Sequence, residues 1–367
     1  MAFDLSKSQL VKLQARLNEM ISGDTPVKYP QNVNIETAKA MLSNHNARVT
    51  EVLQGSRGGV NQKFRAMLVN FLNTGDLTAD YDGDGADDAG ACTLPEGEAS
   101  VSNNKEYTNN LWIRKNVETE DDLSENLFEI DELLAERIMA GMFSVRQTLN
   151  TRMINFLNSN KTSVNNDANL PDGITFNAGV FDVDPTKIDM KNWRAVTDLD
   201  TVMANNRLRE WFYISGRYNL YNEYVDSQHL RKDNDKRSTS AYDNMNLAFD
   251  IRDLDATLGG RNTFGVGRGT YVFWDRADVP AIPMEVEDNV LEYFIEDDAL
   301  MVNDNGRMRP LRYLVRMEKT CTGESSVTRR LLYRYRIRVG LLGGLYPAPP
   351  SEDSHTGIAR FKTTLGG

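Results

Sequence analysis

The sequence predicts an α+β fold organised around one long helix, with an extended arm at the N-terminal end and paired strands near the C-terminal end. Three observations carry this reading. An apolar stripe advances by threes and fours from Leu123 to Phe156. Two stretches after residue 306 alternate apolar and charged residues, as half-buried strands do. The first 75 residues are short helical patterns separated by breakers, with no strand to close a core of their own.

The long helix is predicted over 119–158. Thr119 and Asp122 form a capping box, and the acidic residues around them suit the positive end of the helix dipole. Leu123, Leu127, Ile130, Leu134, Ile138, Met142, Val145, Leu149, Met153 and Phe156 then share a face. Such a rod is roughly 50 Å long, far beyond an ordinary globular helix, and its four-residue steps exclude a strict heptad coiled coil.

Ahead of it, Leu10, Leu13, Leu17 and Met20 predict a helix over 6–21, followed by helices over 35–53 and 61–72 with a Gly-Ser-Arg-Gly-Gly break between the last two. Residues 76–98 hold eight acidic residues and no basic ones, and self-repulsion makes them a surface loop. The segment 107–117 reads as a strand with Leu111, Ile113 and Val117 on one face. Polar sequence flanks it on both sides, so it needs a distant mate, another chain included.

After the long helix, an asparagine-rich loop over 158–169 leads to short strands ending near Val183. Thr197 and Asp200 open a second capping box, with Leu199, Val202 and Met203 on one helical face. Residues 211–214 read as a buried strand and 220–230 as a helix. The stretch 231–270 is charged and glycine-rich, hence largely loop, and 271–274 is a further strand.

Charge is segregated along the chain. The 367 residues carry 42 basic and 53 acidic side chains, a net charge of −11, so the whole is not drawn to DNA or to anionic lipid. Residues 275–304 carry ten acids and one base, whereas 307–338 carry ten bases and two acids. In that basic block Leu311, Tyr313, Val315 and Met317 alternate with Arg312, Leu314, Arg316 and Glu318. Beyond a turn near 322–324, Leu331, Tyr333, Tyr335, Ile337 and Val339 alternate with Arg330, Leu332, Arg334, Arg336 and Arg338.

The result is a hairpin with an apolar face for a core and an arginine face that calls for anions. The aromatic residues lie on the other face, so the stacking platform of a single-stranded nucleic-acid binder is missing. The neighbouring acidic block, in the same chain or another copy, is the simpler partner. Arg312, Arg316, Arg330, Arg334, Arg336 and Arg338 are therefore candidate interface residues, as are Leu111, Trp112 and Ile113 of the lone strand. The chain uses 28 arginines against 14 lysines, the bias of protein interfaces and equally that of a lineage's codon usage and composition.

Asp80, Asp82, Asp84 and Asp88, with Gly85, reproduce the start of a calcium loop, which needs hard oxygen ligands on alternate residues and a glycine at the sharp turn. Ala91 stands where the closing bidentate carboxylate belongs, and a solvated acidic loop accounts for the same residues. No other cofactor is expected. Cys92 and Cys321 stand far apart without a histidine beside them, which points to a reduced compartment and away from zinc. No signal peptide, membrane-length apolar run, nucleophile elbow, phosphate loop or zinc-protease motif is present, so a non-enzymatic role is expected.

The order of these parts resembles a tailed-phage major capsid protein of the Hong Kong 97-type fold. The matching features are the arm, the extended acidic loop and strand, the long helix, the 198–203 helix feeding the strand at 211–215, the strand at 271–274, and the closing RYRIRVGLLGGLYPAPP of residues 334–350. The resemblance implies an N-terminal arm (1–75), an E-loop (76–118), a peripheral domain (119–195) with its spine helix, an axial domain (196–330), and a return strand and tail (331–367). It further implies that many copies form hexamers and pentamers of an icosahedral shell enclosing double-stranded DNA, which touches the inner surface non-specifically. Portal, scaffold or decoration proteins would be the other partners, no membrane would be involved, and the chain would reside in the virion after assembly in the host cytoplasm. The E-loop would lie across a neighbouring subunit. An encapsulin-type nanocompartment shell shares the fold, and an enzyme with an unrecognised acidic site is the alternative of another class.

Overall fold

Helix α1 (Glu36–Asn44) is the first complete element of the fold. The computed structural model of the chain describes residues 12, 15–17, 19–20, 35–44, 50–52, 67–73, 101–107, 110–121, 130–161, 170–184, 194–205, 210–217, 246–275, 284–287, 290–304, 307–322, 330–345 and 356–363. Residues of the helix expected over 6–21 are helical where described, and Leu17 and Met20 are buried, as an amphipathic face requires. Helix α1 buries Ala38, Met41 and Leu42 but stops at Asn44, short of the predicted 53.

The arm also contains strands, which corrects the reading of it as helices and breakers. Strand β1 (Thr50–Val52) pairs with β2 (Met67–Asn73), which pairs antiparallel with β3 (Val101–Tyr107) along its whole length, from Met67 opposite Tyr107 to Asn73 opposite Val101. The run MLVNFLN fits a helical stripe and a strand equally well by periodicity, and the available partner decides in favour of the strand. Together they form a small three-stranded sheet.

Strand β4 (Asn110–Asp121) corrects one expectation and meets another. It runs through Thr119 and on to Asp121, where the long helix was predicted to begin. A capping box is a local signal, and a twelve-residue antiparallel ladder outweighs it. That ladder is formed with β14 of the same chain, some two hundred residues away, which is the distant mate the segment around Leu111 was expected to need.

Helix α2 (Ile130–Ser159) follows, 30 residues and about 45 Å long. The predicted stripe is its buried face: Ile138, Met142, Val145, Leu149 and Met153 are all sealed from solvent, and Phe156 sets its ring edge-on to Phe273 at 5.5 Å. Leu123 and Leu127 lie outside the described residues.

Strands β5 (Ile174–Asn177) and β6 (Val180–Val183) form a tight hairpin around Ala178 and Gly179, both with positive φ. Helix α3 (Arg194–Asn205) begins ahead of the expected capping box. Asp200 turns away from a cap and instead accepts hydrogen bonds from Trp211 Nε1 (2.9 Å) and the Tyr213 hydroxyl (2.6 Å) on β7 (Trp211–Ser215). Burial, with the Asp200 charge beside it, pushes the Tyr213 phenol well above its ordinary pKa.

The stretch read as loop carries β8 (Leu247–Phe249), α4 (Asp253–Leu258) and β9 (Arg261–Gly267). Its glycines and charges misled the reading, because Asp250 and Asn262 are buried polar anchors here and Gly265 leaves space for Met203 against the sheet. Strand β10 (Tyr271–Asp275) agrees with expectation, and β11 (Met284–Glu287), β12 (Val290–Asp304), β13 (Arg307–Thr322), β14 (Arg330–Leu345) and β15 (Ile358–Thr363) complete the chain. The helix expected over 220–230 lies outside the described residues.

Two six-stranded sheets flank α2. In the first, β14 is central: one edge pairs with β13 and then β10, the other with β4, and β12 and β11 continue beyond β13. The second has the order β5-β6-β15-β9-β7-β8, so the C-terminal strand is inserted between β6, to which it is parallel, and β9, to which it is antiparallel. The division drawn at 330/331 falls at the start of β14, which pairs with β13 on the other side of that division, whereas β15 joins the strands of 174–267. One core unites α1, α2, the first sheet and one face of the second, and a smaller cluster of Leu199, Val202, Met203, Phe181 and Phe361 fills the space beneath α3.

Candidate assembly surface

The predicted division of the β13–β14 hairpin into two faces is observed. Leu311, Tyr313, Val315 and Met317 on β13, and Tyr335, Ile337 and Val339 on β14, are all at most 1% exposed and lie toward α2. The intervening arginines lie on the other face. Antiparallel register sets them in rows: Glu292, Arg316, Arg336 and Asn116 form one row across β12, β13, β14 and β4, and Glu318, Arg334 and Glu118 form the next.

The acidic block meets the basic one inside the chain. Arg316 bridges two carboxylates, with Nη1 3.1 Å from Glu292 Oε1 and Nε 2.8 Å from Glu318 Oε1. Burial works against its charge, but bonds to Glu318 and Glu292 outweigh that and raise its pKa. Arg312 lies 3.9 Å from Glu296 Oε1 and stacks 5.1 Å above the Phe294 ring. Arg338 differs: burial, then Arg336 and Arg316, lower its pKa against the opposing pull of Glu292.

Leu111, Trp112 and Ile113 are backbone partners of Leu341, Gly340 and Val339, so β4 covers the free edge of β14 in its own chain. Arg330 opens β14, opposite Thr322. The candidate calcium residues Asp80, Asp82, Asp84 and Asp88 lie outside the described residues. Among the described residues, no group of three or more His, Cys, Asp or Glu could hold a metal ion.

Three buried polar junctions lock the frame that carries this face, and the sequence reading missed all three. Arg146 of α2 and Asp297 of β12 form a two-point ion pair, with the Asp297 carboxylate also accepting the Ala299 amide at 3.0 Å within a bulge between Asp297 and Met301. Asp250 accepts from Thr37 Oγ1 (2.6 Å), Asn150 Nδ2 (2.8 Å) and the amides of Asp253 and Leu254, while Asn150 Oδ1 accepts the Ala38 amide (2.9 Å). These bonds tie α1, α2 and the start of α4 to one carboxylate. Arg360 of β15 reaches Asn262 Oδ1 through Nε and Nη2 and Asn158 Oδ1 through Nη1, holding the C-terminal strand to the end of α2. The one available signal was Arg146 itself, four residues after Met142 and within the apolar stripe.

No protein-family model matches the chain, and no curated protein matches it. Solved structures similar to it are those of phage capsids and an encapsulin. One described as Mycobacterium phage Adephagia is 11% identical, with 95% of this chain and 98% of that one covered and a TM-score of 0.45. The capsid asymmetric unit of cyanophage Pam1 is 9% identical over 92% of this chain and 94% of its own, with a TM-score of 0.44. An encapsulin complex from Synechococcus elongatus is 12% identical over 92% of this chain and 90% of its own, with a TM-score of 0.42.

Proposed function

We propose that this chain is the structural subunit of an icosahedral bacteriophage capsid, self-assembling as hexamers and pentamers around double-stranded DNA. The observation that carries the reading is the path from β2 to α2. A hairpin, β2–β3, belongs to a three-stranded sheet of its own, outside both six-stranded sheets. The chain then returns along the edge of the first sheet as β4 and enters a 30-residue helix that backs that sheet. A three-stranded sheet built apart from the two larger ones is an element a chain can extend toward other copies.

In this reading β2–β3 is the E-loop hairpin and α2 the spine helix, and the domain bounds follow the sheets in place of the expected 119–195 and 196–330: the first sheet, with β10–β13, is the peripheral domain, and the sheet of β5–β9 and β15 is the axial domain. Portal, scaffold and decoration proteins are the partners such a shell requires, the virion is its place, and the host cytoplasm is where it assembles. No step of catalysis belongs to it. Particles recovered from producing cells test the reading through their contents: nuclease-protected DNA supports the capsid, and protein cargo without DNA assigns the chain to a nanocompartment instead.

A further inference from the structure

The second sheet consists of two parts joined by one strand. Among the described residues, β6 and β9 meet only through β15: Phe361 to Thr363 pair in parallel with Phe181 to Val183, and Ile358 to Thr363 pair antiparallel with Val266 to Arg261. Without β15, the pair β5 and β6 faces the trio β9, β7 and β8 across a cleft bounded by two strand edges. In the chain, β15 follows every other strand of its own sheet and the whole of the first sheet.

The cleft is shaped for this strand in this register. Ala359 and Phe361 belong to the cluster beneath α3, where the Phe361 ring stacks on Phe181 at 5.1 Å, while Ile358 joins the core shared with α2. Arg360 donates to Asn262 of β9 and to Asn158 of α2, and the Thr356 hydroxyl donates to the Asn160 carbonyl. The third wall of the cleft is thus the C-terminal end of α2. A slip of one residue would exchange the two faces and turn Arg360 into the apolar cluster.

We propose that the cleft between β6 and β9 is a strand-acceptor slot and that β15 closes it last, after α2 has docked on the first sheet. A chain of this size folds through partly built states, and strands far apart in sequence pair late because loop closure comes first. Closure acts as a completion switch: a chain lacking 356–363, one still being made included, keeps both edges open and leaves Asn158 without Arg360. The step takes place within one subunit and does not depend on what the subunit builds.

Pulse-labelled hydrogen exchange during refolding of the full chain tests the order. The amides of α2, β13 and β14 are expected to gain protection first, and those of β15 and its partners in β6 and β9 at least about tenfold more slowly. A labelled peptide of residues 356–363, at the roughly millimolar concentration that matches a tethered segment, is expected to be captured during refolding but not by the folded chain. The same peptide carrying Phe361→Asp is expected to remain free. The full chain carrying Phe361→Asp is expected to keep α2 and β13 protected, to lose protection in β6 and β9, and to take up the unmodified peptide after folding.

Protection of β15 as early as that of α2 and β14 overturns the proposal, as does complete refolding in excess peptide without capture. Equal capture of the two peptides overturns it too, because the slot then does not read the strand. If Phe361→Asp strips protection from α2 and β13 as well, closure is not a separate step and the proposal fails.

Discussion

Arg146 on the long helix and Asp297 on strand β12 are joined by two parallel hydrogen bonds of 2.7 and 2.5 Å, with side chains 6% and 0% exposed. Burial opposes the Arg146 charge, and the bonds to Asp297 more than offset it, raising the guanidinium pKa. The pair therefore couples the helix to the sheet at one point inside an otherwise apolar contact. Tyr313 is fully buried against it, and burial, with the Asp297 charge, raises its phenol pKa.

Breaking this pair from one side strands the other charge. Arg146→Ala is expected to destabilise the chain by about 3–5 kcal/mol, while Arg146→Met with Asp297→Leu restores much of that loss, because a well-packed apolar pair replaces two ions at little net cost. Chemical denaturation of the three chains measures both numbers.

The Asp250 junction should behave as a cap and a tether at once. Asp250→Ala leaves the Asp253 and Leu254 amides without their acceptor and removes the partner of Thr37 and Asn150. Bonds to a charged group contribute roughly 1.5–3 kcal/mol each and do not add fully, so a loss of about 3 kcal/mol is expected. Hydrogen exchange locates it: the amides of α1 and α4 lose protection together.

Asp253 sets a pH dependence. Burial and then the Asp250 charge raise its pKa above 3.8, partly countered by Asn150 and Arg252. The folded state thus holds this proton more tightly than the unfolded state, so the contribution of Asp253 is most favourable below the unfolded pKa and declines as pH rises through the folded one. Asp253→Asn removes that decline, and melting temperatures across the acid range should fall less steeply with rising pH than those of the unmodified chain.

Gly343 stands opposite Phe273, where β14 meets β10. A Cβ there would lie 2.1 Å from the Val272 carbonyl oxygen and 3.0 Å from the Phe273 Cα, both backbone atoms that cannot swing aside. Gly343→Ala is expected to cost about 1–3 kcal/mol by overpacking, and exchange protection should be lost first across β10 and the end of β14.

What the sequence revealed follows the range of each interaction. The apolar stripe of α2 and the two-faced hairpin of β13 and β14 repeat over many residues, and both were legible, with Ile138 to Met153 and Leu311 to Met317 buried as their spacing requires. The start of α2 was not, because Thr119 and Asp122 offer a local cap while Leu331 and Leu332, two hundred residues away, hold Glu120 and Asp121 in a strand. β8, α4 and β9 were missed for the same reason: Asp250 and Asn262 read as loop residues until Asn150 and Arg360 are known to meet them. On the candidate surface, charge segregation foretold that acidic and basic blocks meet, and the structure identifies Glu292 with Arg316 as one such contact.

The central claim, a self-assembling shell subunit, is tested most directly by electron microscopy of the purified chain under assembly conditions, with scaffold supplied. The account predicts closed, isometric particles of uniform size whose faces resolve into rings of six and five copies. A sample that stays uniformly monomeric, or that stops at a small oligomer, would contradict it.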